Sequence, residues 1–238
     1  MPSVLSLKNL PKEARPREKM MAKGPAALSD LELLALLLRT GVAGKDVFEL
    51  AHDLLNLPRK SDCGGPRLCG VAGLLCASPG DLAAVRGLGP AKQASIFAIL
   101  ELARRALAQQ LSAQPVLTAP QTMKNYVQLQ LAARHYEVFA VCFLNAQNRL
   151  IVFEELFRGT VGETSVYPRE IALRALHHGA SAVVIAHNHP SGSVQPSEAD
   201  IQLTRVLKTA LRLIDVRLLD HIIVAPGLAL SMAERNLM

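Results

Sequence analysis

Apolar positions recur along this chain with two different periods, and the change from one to the other divides it. Ser29-Asp-Leu-Glu32 has the form of a capping box, and the apolar run that follows it to Leu38 is closed by Gly41, which predicts a short helix. Val47, Leu50, Ala51, Leu54 and Leu55 repeat at helical spacing until Pro58, so a second helix follows and residues 1–57 read as all-helical. Residues 58–73 lack a regular apolar period and are rich in turn formers and basic side chains, the pattern of an exposed loop. Beyond it, Asp81 to Val85 forms a short helical piece, Gly87-Leu-Gly89 a tight turn, and Pro90 to Leu111 a longer helix with Pro at its first position.

Ser112-Ala-Gln-Pro115 and Ala119-Pro120 interrupt this periodicity, and runs such as Val138-Phe-Ala-Val-Cys-Phe-Leu144 take over. Strands are predicted at 137–145, 149–157, 181–187 and 216–225, alternating with helical stretches at 168–178 and 197–213, a mixed α/β pattern. The expected organisation is a helical domain over 1–111, with helix, hairpin and helix in 78–111, a linker at 112–120, and an α/β domain over 121–238.

Composition narrows the function classes. Half of the residues are apolar, but charges interrupt every run before the roughly 18 residues that a membrane span needs. The first residues do not have the form of a secretory signal, so a soluble, cytoplasmic protein with no membrane partner is expected. The four cysteines, Cys63, Cys69, Cys76 and Cys142, contain no Cys-x-x-Cys pair, so reduced thiols are expected and a second metal site in the 58–73 region is not. The net charge of +6 is uneven: residues 1–115 hold 15 Lys/Arg against 10 Asp/Glu, and residues 116–238 hold 11 against 10. Attraction to polyanions belongs mainly to the first half.

The chemistry gathers near position 190. His187-Asn-His189 ends the apolar run Ala182-Val-Val-Ile-Ala186, and alternation along a strand puts both imidazoles on one face. Pro190-Ser-Gly192 turns the chain, and Ser197-Glu-Ala-Asp200 starts the next helix, so its carboxylate can fold back beside the histidines. His187, His189 and Asp200 are therefore the predicted metal ligands, leaving one coordination position open. Two His and one carboxylate are a catalytic rather than a structural zinc set, and such a site lowers the pKa of a bound water to about 7. The same set could host iron.

Together with Pro168-Arg-Glu170 and Leu219-Asp-His221, His187-Asn-His-Pro-Ser-Gly192 resembles the bacterial RadC family, whose metal motif is that of the JAMM (MPN) metallopeptidases. The resemblance extends to Asp30-Leu-Glu-Leu-Leu-Ala-Leu-Leu-Leu-Arg-Thr-Gly41 and to Gly87-Leu-Gly-Pro-Ala-Lys92, which are similar to the family's helical region and helix-hairpin-helix. It implies a cytidine-deaminase-like JAMM/MPN domain with a mixed sheet behind a small all-α domain. It also implies Zn2+ on His187, His189 and Asp200, with Ser197 stabilising an oxyanion. The general base falls on Glu137 in Tyr136-Glu-Val-Phe, with Glu154, Glu155, Glu163 and Glu170 as competitors.

The implied activity is that of a zinc metallopeptidase or isopeptidase acting on a peptide or protein. The alternative is a DNA-associated repair or recombination factor with a vestigial or structural metal site. There Gly87, Gly89 and Lys92 would meet the phosphate backbone at a helix N-terminus, although Gln93 stands where the motif usually has a small Ala.

Overall fold

The computed structural model describes residues 10–57, 70–75, 77–159 and 166–238. Two compact units emerge, the first reaching Glu101 and the second running from Leu102 to Met238.

In the first unit, short 3₁₀ turns at Lys12–Ala14 and Pro25–Ala27 flank α1 (Pro16–Lys23). Then follow α2 (Asp30–Leu38), α3 (Val47–Leu55), α4 (Val71–Leu75), α5 (Pro79–Ala83) and the first half of α6 (Pro90–Ala113). Ser29, Asp46 and Ser78 each open a helix with a reciprocal capping box, to Glu32, Glu49 and Asp81 respectively. Each box satisfies backbone donors that a helix N-terminus leaves without partners. Leu34, Leu38, Leu50, Leu54, Leu82 and Ile96 form the buried centre of this unit. Two sequence expectations shift here. Residues 71–73 belong to α4, because Leu74 is drawn into the core, while 58–69 and Cys63, Cys69 and Cys76 lie outside the described residues. The piece expected from Asp81 begins at Pro79, because Ser78 caps it.

The second unit is built on a five-stranded mixed sheet in the order β2-β1-β3-β4-β5. Its strands are β1 (Val138–Leu144), β2 (Leu150–Arg158), β3 (Ala182–Asn188), β4 (Arg217–Ala225) and β5 (Leu228–Ser231). β3 and β4 are parallel, and every other pairing is antiparallel. α7 (Pro120–Leu131) packs on β3, β4 and β5 with Met123, Tyr126, Val127 and Leu131 buried. α8 (Pro168–His177) and α9 (Glu198–Arg212) cover the opposite face, where Ile171, Ala175, Leu207 and Leu211 meet Phe139, Val141, Phe143, Val183 and Ile185. β1 and β3 are buried along their whole length because helices cover both faces, which explains their unbroken apolar runs.

The register between β3 and β4 is irregular. Val183 pairs with Leu218 but Val184 pairs with Asp220, so Leu219 is an extra residue in β4. Strict alternation would turn His221 away from Leu218; the bulge returns it to the same face, beside Ile185 and under α9. Among the described residues, no helix is long and apolar enough to cross a membrane.

Candidate metal centre

The end of β3 and the start of α9 bring the predicted ligands together. His187 is the penultimate residue of β3 and is 2% exposed; His189 follows the strand, which its amide extends by donating to the Val224 carbonyl. The Nε2 atoms of His187 and His189 lie 2.8 Å apart. Asp200 is the third residue of α9, and its Oδ1 lies 3.1 Å from His187 Nε2 while its Oδ2 lies 3.8 Å from His189 Nε2.

The helix start aims this carboxylate. Ser197, the N-cap of α9, donates to Asp200 Oδ2 from its amide at 2.7 Å and from its hydroxyl at 2.6 Å, and its Oγ accepts the Asp200 amide. Oδ2 is thus held by the cap while Oδ1 faces His187. Burial pushes the Asp200 carboxyl up, but the neighbouring His187 and the two Ser197 donors outweigh it, holding the group well below the usual carboxylate range.

Glu137 enters from the residue before β1. A carboxylate oxygen of Glu137 and one ring nitrogen each of His187 and His189 all lie within 4.8 Å of one another. Asn188, the middle residue of the His-x-His pair, fastens the backbone on both sides of Glu137. Its Oδ1 accepts from the Val138 amide at 2.8 Å, and its Nδ2 donates to the Tyr136 carbonyl at 3.0 Å. The sequence reading gave Asn188 no role of its own; its place between His187 and His189 at the end of an apolar run was the available signal.

The competing carboxylates are engaged elsewhere. Glu154 pairs with Arg174 and His178, Glu155 with Arg134, and Glu170 with its neighbour Arg169. The Arg174 guanidinium holds Glu154 below the ordinary range against its burial. Glu163 lies outside the described residues.

Behind the centre sits a residue whose role the sequence did not disclose. His221 is fully buried, with Nε2 2.8 Å from His187 Nδ1 and Nδ1 2.6 Å from Thr204 Oγ1 of α9. Burial, together with the neighbouring His187, holds its pKa well below that of a free imidazole. Asp220 points to the opposite face, accepting from Ser231 Oγ and from the amides of His221 and Ala233, and burial raises its carboxyl. Cys142, buried in β1, is pushed up to about 12 by desolvation and has no reactive character.

The hairpin residues of the first unit are placed differently. Gly87 has a φ of +93°, and a Cβ there would come within 2.6 Å of Val42 Cγ2. The Lys92 ammonium donates to the carbonyls of Thr40 and Gly41. Gly89 faces open space, and Gln93 spends its amide on the Leu88 carbonyl.

Whether the residues suit a metal can be judged from donor chemistry. The Ser193 carbonyl can only accept, so the 2.8 Å contact from His189 Nδ1 places a hydrogen on that atom and leaves His189 Nε2 bare in the neutral ring. A bare imidazole nitrogen, two carboxylates and His187 Nε2 then converge on one small region, a concentration of lone pairs that a cation relieves. The set fits a divalent metal.

A family model described as RadC-like JAB domain matches residues 117–237, and one described as UPF0758 N-terminal matches residues 7–94. The chain is similar over 98% of its length to proteins named UPF0758 protein, each covered completely. The identity is 61% over 234 residues in Albidiferax ferrireducens, 64% over 237 in an Acidovorax species and 54% over 232 in Methylibium petroleiphilum.

Proposed function

Because the chain belongs to the RadC family, with a JAB-type domain over its second half, we propose that it is a zinc-dependent hydrolase that cuts an amide bond in a peptide or protein. The observation that carries this reading is the convergence of His187 Nε2 with His189 Nε2 at 2.8 Å and with Asp200 Oδ1 at 3.1 Å, with a Glu137 carboxylate oxygen within 4.8 Å of both imidazoles and His189 Nδ1 already satisfied elsewhere.

In this reading His187, His189 and Asp200 hold the metal. Zinc on that set supplies Lewis acidity and lowers the pKa of a coordinated water to about 7. Glu137 accepts the proton of the attacking water and returns it to the departing nitrogen, so that water and an amide give a carboxylate and an amine. Its position depends on the Asn188 clamp across Tyr136 and Val138. Ser197 is the hydroxyl donor at the centre: it stabilises the Asp200 carboxylate in the present arrangement, and an oxyanion developing at the carbonyl is a second acceptor for the same proton.

The test begins with elemental analysis of the purified chain beside His189→Ala and Asp200→Ala. A single zinc per chain, lost from both variants, is the expected result; metal content indifferent to both would overturn the ligand assignment. Turnover of a peptide library by the wild type, abolished in Glu137→Gln while zinc remains, would then assign the base.

A further inference from the structure

We infer that His221, anchored by Thr204, is a positioning residue that fixes the tautomer of His187 and so keeps His187 Nε2 bare for a metal. The inference rests on the metal reading above, because the 2.8 Å gap between His187 Nε2 and the bare His189 Nε2 calls for a cation or a hydrogen; the direction of the buried relay behind His187 stands on hydrogen counting.

The Asp200 carbonyl oxygen has no hydrogen to give. Thr204 Oγ1 lies 2.6 Å from the backbone carbonyl oxygen of Asp200, one helical turn earlier in α9. Two oxygens this close need a hydrogen between them, and only the hydroxyl has one. The other atom within reach of that proton is Met232 Sδ at 3.9 Å, which also only accepts. With its one hydrogen spent, Thr204 Oγ1 can only accept from His221 Nδ1 at 2.6 Å.

His221 Nδ1 therefore carries a hydrogen, and in the neutral ring its Nε2 is an acceptor. The atom facing that acceptor at 2.8 Å is His187 Nδ1, which must then be the donor. Each link thus has a single direction, from His187 to His221 to Thr204 to the Asp200 carbonyl. The chain leaves one predicted ligand and ends on the backbone of another, so both are tied to one buried device. Phe139 packs against both rings, with centroids 6.5 Å from His187 and 6.1 Å from His221, which keeps this path apolar around its hydrogen bonds. Outer partners of this kind commonly change metal affinity by about 10- to 100-fold when removed.

The experiment needs no substrate. Long-range proton–nitrogen correlation on the metal-free, 15N-histidine-labelled chain at pH 8 reads the tautomer of His187, and competition with a chelating dye reads zinc affinity. The wild type is expected to show His187 protonated at Nδ1. His221→Phe is expected to lower zinc affinity by about 10- to 100-fold while still melting cooperatively. His221→Gln should recover most of the loss, because its amide can accept from His187 and donate to Thr204. Thr204→Val should weaken affinity less and leave His221 as a mixture of tautomers. His187 without a hydrogen on Nδ1 in the metal-free wild type, or His221→Phe binding zinc as tightly as wild type, would overturn the inference. A wild type that takes up no zinc would sink the metal reading instead, and the spectrum would still decide the tautomer. If His221→Phe does not fold, the wild-type spectrum and Thr204→Val decide.

Discussion

The glycine hairpin of the helical unit and the histidine centre of the sheet unit are equally visible as motifs, yet the fold uses them in opposite ways. In the hairpin the motif side chains already have internal partners: Lys92 is bound to the Thr40 and Gly41 carbonyls, and Gly87 exists where any Cβ would strike Val42. In the candidate metal centre the far side of each predicted ligand is satisfied, at His221, Ser193 and Ser197, while the near sides face one another. Residues in a recognisable pattern therefore do not declare by themselves whether they serve the fold or a ligand. The atoms left over after internal hydrogen bonds are assigned make that distinction.

Three measurements bear on this contrast. The largest effect is expected at Gly87: Gly87→Ala adds a methyl 2.6 Å from Val42 Cγ2 at a positive φ, and should destabilise the helical unit by about 2–3 kcal/mol in urea unfolding. A loss below about 0.5 kcal/mol would show a hairpin free to adjust, and the comparison would fail on that side.

The second concerns pH. His221 titrates far lower in the folded chain than its ordinary value of 6.5, so below that pH the unfolded chain binds a proton that the folded chain refuses. Its contribution is complete above about pH 6.5 and is lost as pH falls, by up to about 1.4 kcal/mol per pH unit. Metal-free wild type should show this slope between pH 6.5 and 5, and His221→Phe should flatten it. Equal slopes in the two proteins would mean that His221 protonates as readily folded as unfolded.

The smallest effect is expected at Gly89, where a Cβ meets nothing within 4 Å. Gly89→Ala should change stability by about 1 kcal/mol or less, the scale of exchanging Gly for Ala at the start of a helix. With the fold intact, this variant also makes a clean probe of whether the hairpin amides contribute to salt-dependent DNA binding. A loss as large as that of Gly87→Ala would erase the distinction between the two glycines.

Much of this was legible beforehand because it is local. Ser29 with Glu32, and Ser197 with Asp200, lie three residues apart and form the caps that their spacing predicts. The runs behind β1 and β3 are apolar enough to place within a residue or two, and alternation along β3 anticipates that His187 and His189 share a face. What escaped depends on distant partners. α7 follows Pro115, starts at Pro120 and shows a mostly polar surface, so its four buried residues declare a helix only once the sheet is there to receive them. β5 is four residues long and owes its existence to pairing with β4. His221 looks like any histidine in an apolar strand, since the atoms that give it a role come from β3 and α9.

The extra residue at Leu219 turns a matter of chemistry into one of counting. Upstream and downstream of it, β4 runs in two opposite phases, and His221 owes its side of the sheet to the number of residues since Leu218. At position 219 the presence of a residue sets the phase of everything that follows in β4. A one-residue deletion there would keep every hydrogen-bonding side chain of the centre in the sequence and still part His187 from its support. Within this stretch, length is inherited information in the same sense that the histidines are.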